Sequence, residues 1–206
     1  MDLIEKYFPE LEAKKKNLLA EFAAEILNWN AKINLISRKD TEFIYIRHIL
    51  HSLSIAHYFQ FRDGCSIADI GTGGGFPGIP LAIYFDRVDF TLVDSVAKKV
   101  RTVRNIAERL GLHNVRVIQS RSEDLKGKFD FVVARAVASL PDFYRQTKHL
   151  IPETGSQSIS RGIIYLKGGA FEKELEALGR ATKVITLKTY FIEEYFNTKK
   201  MVFIPF

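Results

Sequence analysis

Ser66-Ile-Ala-Asp-Ile-Gly-Thr-Gly-Gly-Gly-Phe-Pro-Gly-Ile-Pro80 joins a strand, a turn and a helix start in one short run. Ile67 to Ile70 is rich in β-formers and feeds directly into glycines 71, 73, 74 and 75. Glycine lets the backbone turn tightly and approach a ligand without a Cβ clash. Pro77 and Pro80 stand where a helix would begin, and proline fits a first turn whose N–H groups are free. The product is a strand, a glycine loop and a helix N-terminus aimed at a nucleotide-like ligand.

Two registers compete for that ligand. Gly73, Gly75 and Gly78 match the dinucleotide pattern G-x-G-x-x-G, with Asp94 21 residues beyond Gly73. Gly71, Gly73 and Gly75 match G-x-G-x-G behind Asp69 and start at the strand end, where the loop must turn. The second register resembles motif I of the Rossmann-like methyltransferases that use S-adenosylmethionine. Context favours it, because helical chain precedes the loop and little chain remains after the sheet for a separate substrate domain.

The surroundings are consistent with one α/β unit. Residues 10 to 60 read as helices: Leu11, Leu18, Phe22, Ile26 and Trp29 recur at helical spacing behind Pro9. A second helix is predicted to start at Asp40 as N-cap, with Phe43, Ile46, Leu50 and Leu53 on one face. Beyond residue 65, β-rich runs appear at 66–70, 89–93, 115–118, 129–134, 162–167, 183–191 and 201–205. Amphipathic segments separate the first five or six, most clearly 96–110 with Gly111 as its stop. Alternating strands and helices imply a mostly parallel sheet covered on both faces, and the last two runs an antiparallel pair. The expected fold is Rossmann-like α/β, a class I S-adenosylmethionine-dependent methyltransferase with a seven-stranded sheet. Residues 1–62 form an N-terminal helical cap and 63–206 the methyltransferase domain. Residues 152–161 are the one polar, loop-like stretch long enough to be mobile.

Composition narrows the function classes. The single cysteine, Cys65, excludes an internal disulfide and a cysteine-cluster zinc site, and no metal is expected. The N-terminus has no signal pattern and no apolar run approaches membrane-spanning length, so the reading is a soluble, cytoplasmic protein. Net charge is +6, distributed as 8 basic against 8 acidic residues over 1–60, 11 against 9 over 61–130, and 11 against 7 over 131–206. A modest excess that grows toward the C-terminus is compatible with nucleic acid.

Individual residues carry paired readings. Asp94 ends Phe90-Thr-Leu-Val-Asp94, where a carboxylate can accept both ribose hydroxyls; it could also cap the next helix. Asp69 either orients the methionine end of the cofactor or fixes the loop amides. Ser122 and Glu123, in Gln119-Ser-Arg-Ser-Glu-Asp-Leu125, are expected at adenine, or as a helix-start cap. Arg135 ends the fourth strand at the catalytic edge. It could hold a carboxylate, a phosphate or a guanine Hoogsteen edge, or form a structural salt bridge. That strand lacks the Asn/Asp-Pro-Pro-aromatic motif of exocyclic-amine methylation. Cys65 precedes the first strand, the wrong place for a pyrimidine C5 nucleophile. An acceptor that is already nucleophilic, such as guanine N7, fits best, with catalysis by alignment.

Several segments together resemble the bacterial RsmG family, also called glucose-inhibited division protein B. They are Asp69-Ile-Gly-Thr-Gly-Gly-Gly-Phe-Pro-Gly-Ile-Pro-Leu81, Leu92-Val-Asp-Ser95, Gln119-Ser-Arg-Ser-Glu123, Arg135-Ala-Val-Ala-Ser139 and Leu166-Lys-Gly168. Upstream, Trp29-Asn30, Asn34-Leu35 and Arg47-His-Ile-Leu-His-Ser52 resemble its helical region, with His51 where the family usually has aspartate. The segment 153–162 is longer than usual for it. The resemblance implies methylation of guanine N7 at one position of 16S ribosomal RNA, with S-adenosyl-L-methionine as cofactor. The implied partner is the small ribosomal subunit or its precursor, and we expect a monomer. The family's cofactor contacts fall on Gly71, Phe76, Ser122, Glu123 and Arg135, with Asp94 near the ribose. The full expected cofactor set adds Asp69, Gly73 and Gly75, with Arg135 also the catalytic residue. Expected RNA contacts are Arg47, His48, Arg121 and Lys167.

Overall fold

A computed structural model describes residues 2–152 and 161–206. Five parallel strands form its centre: β1 (Ser66–Ile70), β2 (Asp89–Asp94), β3 (Val115–Gln119), β4 (Phe131–Arg135) and β5 (Gly162–Gly168). β6 (Lys183–Thr186) and β7 (Lys199–Pro205) are antiparallel, and β7 inserts between β5 and β6. The order is β3-β2-β1-β4-β5-β7-β6. β1 lies between β2 and β4, so the glycine loop leaves the sheet where the strand order reverses, the place where open α/β sheets bind ligands.

The sheet's pattern follows from its burial. β1, β4 and β5 are buried on both faces and read as continuous apolar runs, whereas the edge strand β3 is half exposed. Side chains alternate between two cores. Ile67, Leu92, Val133 and Ile164 face one side, with Phe22, Ile26, Leu53 and Ile79. Ala68, Val93, Val132 and Tyr165 face the other, with Phe143, Leu150 and Phe171. The first core joins the helices α1 (Asp2–Tyr7), α2 (Ala13–Asn30) and α3 (His51–Tyr58) to α4 (Gly78–Tyr84) and α5 (Ala97–Arg109). The second lies under α6 (Leu140–Thr147) and α7 (Glu172–Leu178). Leu53 is fully buried, and cutting such a leucine to alanine costs about 2–5 kcal/mol. The cap is therefore packed into the sheet's own core.

The helical half departs from expectation in detail. Leu11 lies before α2, whose buried face is led by Leu19, Phe22, Ala23 and Ile26, and α1 had no sequence signal. Asp40 does not cap a helix. It sits in a 3-10 turn, Arg38–Phe43, followed by a π-helical turn, Tyr45–Leu50, and then α3. Its carboxylate accepts from the Arg47 guanidinium instead, a charge-assisted bond stronger than a neutral amide cap. The run 183–191 stops being a strand at Thr186, where a 3-10 turn begins. Of the polar stretch expected over 152–161 and 153–162, residues 153–160 lie outside the described residues.

Candidate active site

The glycine loop is tied down at both ends. The Gly71 and Thr72 amides donate to the Val93 carbonyl of β2 at 2.8 and 3.0 Å. Asp69 is fully buried, and its Oδ2 accepts from the Thr72 hydroxyl (2.6 Å) and the Gly78 amide (2.9 Å). One carboxylate oxygen thus joins the end of β1, the loop and the start of α4, which is the loop-fixing reading of Asp69. Its Oδ1 is buried without a hydrogen-bond partner. Burial pushes this carboxyl up to about 7, against the pull of Thr72, Gly78 and Arg135.

Backbone angles distinguish the two glycine registers. Gly71, Gly73 and Gly75 have φ of 71°, 60° and 90°, whereas Gly78 is helical and belongs to α4. A Cβ on Gly71 would come within 2.7 Å of Val137 Cγ2, so the loop and the segment after β4 meet closely there. At Gly78 a Cβ would lie 2.6 Å from Asp69 Oδ2 and 2.8 Å from Leu92 Cγ. Gly78 therefore serves helix–strand packing.

Between this loop and the ends of β2 and β3 lies a cleft of about 330 Å³. Gly71, Asp94, Lys99, Arg121, Ser122, Glu123 and Val137 line it. Asp94 is 8% exposed; its Oδ2 accepts from the Gly73 amide (3.0 Å) and its Oδ1 from the Val96 amide (2.9 Å). These two bonds match the capping reading of Asp94. It organises the helix entry, and each oxygen keeps a lone pair for a hydroxyl in the cleft. Ser122 and Glu123 occupy a 3-10 turn, where the serine hydroxyl donates to the Glu123 carboxylate at 2.8 Å. Hydrogen bonds from its own amide and from Ser122 hold Glu123 below the usual carboxylate range. The donor set fits an adenosine-bearing cofactor: a carboxylate for vicinal hydroxyls, a backbone turn beside it, and a glycine position that a Cβ would fill.

Other expected site residues lie elsewhere. Phe76 is 2% exposed and packs against Phe22 and His48, both with ring centroids 5.0 Å away. Arg135 ends β4 and turns toward the cap. Its Nη1 donates to the Arg47 carbonyl (3.0 Å), its Nη2 to His48 Nδ1 (2.8 Å), and its guanidinium lies 5.1 Å from the Phe76 ring centre. Burial lowers its affinity for its proton, and attraction from Tyr195, Asp69 and Asp40 opposes that. Arg47 is engaged with Asp40 and lies 4.1 Å over the Phe43 ring. His48, expected to face RNA, is buried. Lys167 pairs with Glu174 beside the Tyr165 and Phe171 rings. Arg121 is exposed at the cleft, and among the described residues it has no ion-pair partner. Cys65 lies before β1, at the opposite end of the strand from the loop, with its thiol pushed up to about 12 by burial.

Two supporting residues escaped the sequence reading, and a third, Asp40, was read only as an N-cap. The Tyr165 hydroxyl accepts from the Val137 and Ala138 amides (2.7 and 2.9 Å) and donates to the Ala138 carbonyl (2.9 Å). It thereby fixes the cleft wall after β4. The Tyr195 hydroxyl contacts the Arg47 carbonyl (3.2 Å) and His51 Nδ1 (3.0 Å). Asp40 anchors Arg47. Tyr165 and Tyr195 act across 27 and 148 residues, and no local pattern marks them.

A reversing parallel sheet with an antiparallel β7, a left-handed glycine loop and an acid at the end of β2 define a Rossmann-like methyltransferase dependent on S-adenosylmethionine. An Aquifex aeolicus crystal structure described as a SAM-dependent methyltransferase shares the fold: TM-score 0.55, 16% identity, 75% of this chain and 88% of that one. The family model described as GidB, rRNA small subunit methyltransferase G, matches residues 15–202. The chain belongs to that family. It is similar to the ribosomal RNA small subunit methyltransferase G of Flavobacterium psychrophilum, 44% identical over 205 residues, 100% of this chain and 98% of the relative. The protein of the same name in Bacteroides thetaiotaomicron is 46% identical over 203 residues, 98% of each chain.

Proposed function

We propose that this protein transfers a methyl group from S-adenosylmethionine to N7 of a guanine in 16S ribosomal RNA, on the small subunit or its precursor. The observation that carries the reading is family membership along nearly the whole chain, under a name that specifies small-subunit rRNA.

Site chemistry supports N7. The buried acids and histidines around the site are already committed: Asp94 to two amides, Asp69 to the loop, His48 and His51 to buried contacts with Arg135 and Tyr195. That arrangement favours an acceptor that needs no base, and the N7 lone pair is free at neutral pH. When bound, S-adenosylmethionine supplies an electrophilic methyl on a sulfonium. In this reading Asp94 holds the ribose hydroxyls, Ser122 and Glu123 the adenine side, and Gly71, Gly73, Gly75 and the Phe76 backbone shape the cradle. Asp69 stiffens the cradle from below. Arg135 contributes a fixed positive charge at the end of β4. Arg121 meets RNA phosphate at the rim. Alignment of this kind is worth several kcal/mol.

The reading also takes the acting unit to be a cytoplasmic monomer. Among the described residues no helix is long and apolar enough to cross a membrane. The test is to map N7-methylguanine in 16S rRNA from cells with and without the gene, and to follow labelled methyl onto undermethylated small subunits. Loss of one N7-methylguanine and its restoration by the purified protein are expected. Label on protein or a metabolite, with rRNA unlabelled, overturns the proposal.

A further inference from the structure

The cap and the end of β4 share one buried polar cluster. Arginine can only donate, so the 2.8 Å contact between Arg135 Nη2 and His48 Nδ1 requires a lone pair on Nδ1. His48 is therefore neutral, with its proton on Nε2. That nitrogen is buried and faces Asp40 Oδ2 at 3.5 Å. Burial and the neighbouring Arg135 charge push His48 down to about 3, which keeps Nδ1 free to accept.

The second acceptor for Arg135 is the Arg47 carbonyl, which also takes the Tyr195 hydroxyl. Both acceptors belong to the π-helical turn Tyr45–Leu50. Such turns recur at functional sites, where they reposition a carbonyl and the side chain beside it. On the other side of the contact, the chain leaves β4 through Ala136 at φ 52°. This is the one non-glycine residue with positive φ among the described residues. Strain there persists only where the surroundings over-determine the backbone. Two unusual backbone features thus converge on a single guanidinium: Ala136 is its neighbour in the chain, and the π-helical turn reaches it from 87 and 88 residues away.

We propose that His48 is a positioning residue, whose neutral ring fixes the Arg135 guanidinium against Phe76, so that the cap sets where this charge sits in the transfer site. This rests on the reading above in which Arg135 acts in methyl transfer. His48 is buried and reaches the site through the guanidinium. The Asp40 carboxylate, 3.5 Å from Nε2 and not hydrogen-bonded to it, draws the N–H edge of the ring by charge alone, and Arg47 holds Asp40. The cap then does two things: it closes the core, and it aims one residue of the sheet.

The test compares three replacements in the full-length protein. His48→Asn puts an amide oxygen where Nδ1 stands. His48→Gln reaches only the Nε2 position. His48→Leu fills the volume with no acceptor. Each is measured for S-adenosylmethionine Kd by calorimetry, for kcat/KM on undermethylated small subunits, and for Tm. We expect the Asn variant within about threefold of wild type, and the Gln and Leu variants roughly tenfold weaker in cofactor Kd and roughly tenfold lower in kcat/KM on the subunits, through kcat. KM for RNA stays unchanged. In an Arg135→Met background, His48→Leu adds less than twofold, because its effect runs through the missing guanidinium.

A folded Leu variant with wild-type Kd and kcat/KM overturns the proposal, as does full additivity with Arg135→Met. If the Leu variant fails to fold, the Asn–Gln comparison decides, and equal behaviour of those two overturns it. Wild-type protein that binds the cofactor but leaves rRNA unmethylated overturns the proposed function. The Kd series then still tests the positioning role, and an unchanged Kd across it counts against that role.

Discussion

Removing the Asp94 carboxylate separates two jobs that one side chain performs. Asp94→Ala deletes acceptors for the Gly73 and Val96 amides, at 3.0 and 2.9 Å, and for any ribose hydroxyls in the cleft. A hydrogen bond to a charged group is worth about 1.5–3 kcal/mol. The Val96 amide begins an exposed helix entry where water can replace the carboxylate, so most of the stability loss comes from Gly73. We expect a loss of about 2 kcal/mol in unfolding free energy. Two ribose hydroxyls bonded to the same carboxylate contribute about 3 kcal/mol to binding, and their loss raises the S-adenosylmethionine Kd roughly 100-fold. Asp94→Asn is the sharper variant. It keeps one acceptor but turns an NH₂ toward a neighbouring amide donor, so it retains shape while losing a ribose contact. Titration calorimetry on protein shown to be folded by its melting curve reads the affinity, and urea unfolding reads the stability. A Kd for Asp94→Ala within about threefold of wild type would remove Asp94 from the ribose site, whatever happens to stability.

Three further outcomes follow from the same geometry. Gly71→Ala puts a Cβ 2.7 Å from Val137 Cγ2 at φ 71°; a left-handed alanine costs about 1–2 kcal/mol, and we expect that loss in urea melts together with weaker cofactor binding. Asp69 binds its proton more tightly in the folded protein, about 7 against the ordinary 3.8, so its contribution to stability is present at low pH and lost as pH rises through 7. Replacing it with asparagine removes that slope, so between about pH 5 and pH 8 Asp69→Asn should gain on wild type by about 2–3 kcal/mol in urea unfolding, two pH units at about 1.4 kcal/mol each; a constant difference between the two proteins refutes the shift. Arg121→Ala should reduce the salt slope of RNA binding by about 1. Lys167→Ala, whose ammonium already pairs with Glu174, should leave that slope unchanged and lower stability instead.

Local chemistry made the Rossmann half legible. Strand runs, the glycine loop, the stop at Gly111 and the acid at Asp94 are short-range patterns, each set by backbone preference or by alternation between two buried faces. From them the parallel sheet, the 71/73/75 register and the cofactor class could be argued without coordinates. The helical half was legible only as amphipathic. Asp40 has the composition of an N-cap, yet a charged partner seven residues on outcompetes a backbone amide, and the helix is broken into 3-10, π and α turns.

What tertiary structure alone decided is the direction of side chains whose partners lie far along the chain. Arg135 reads as a residue of the open catalytic edge; in the fold it turns to the cap because two acceptors wait there, 87 and 88 residues away. His48 reads as an RNA contact, and in the fold it is buried with its Nδ1 lone pair turned to that arginine. Tyr165 reads as a strand residue and holds the cleft wall with its hydroxyl. A sequence motif records which groups a site needs. The long-range hydrogen bonds that aim those groups exist only once cap and sheet close over a common core, which excludes water and leaves the protein as the main source of partners for buried donors and acceptors.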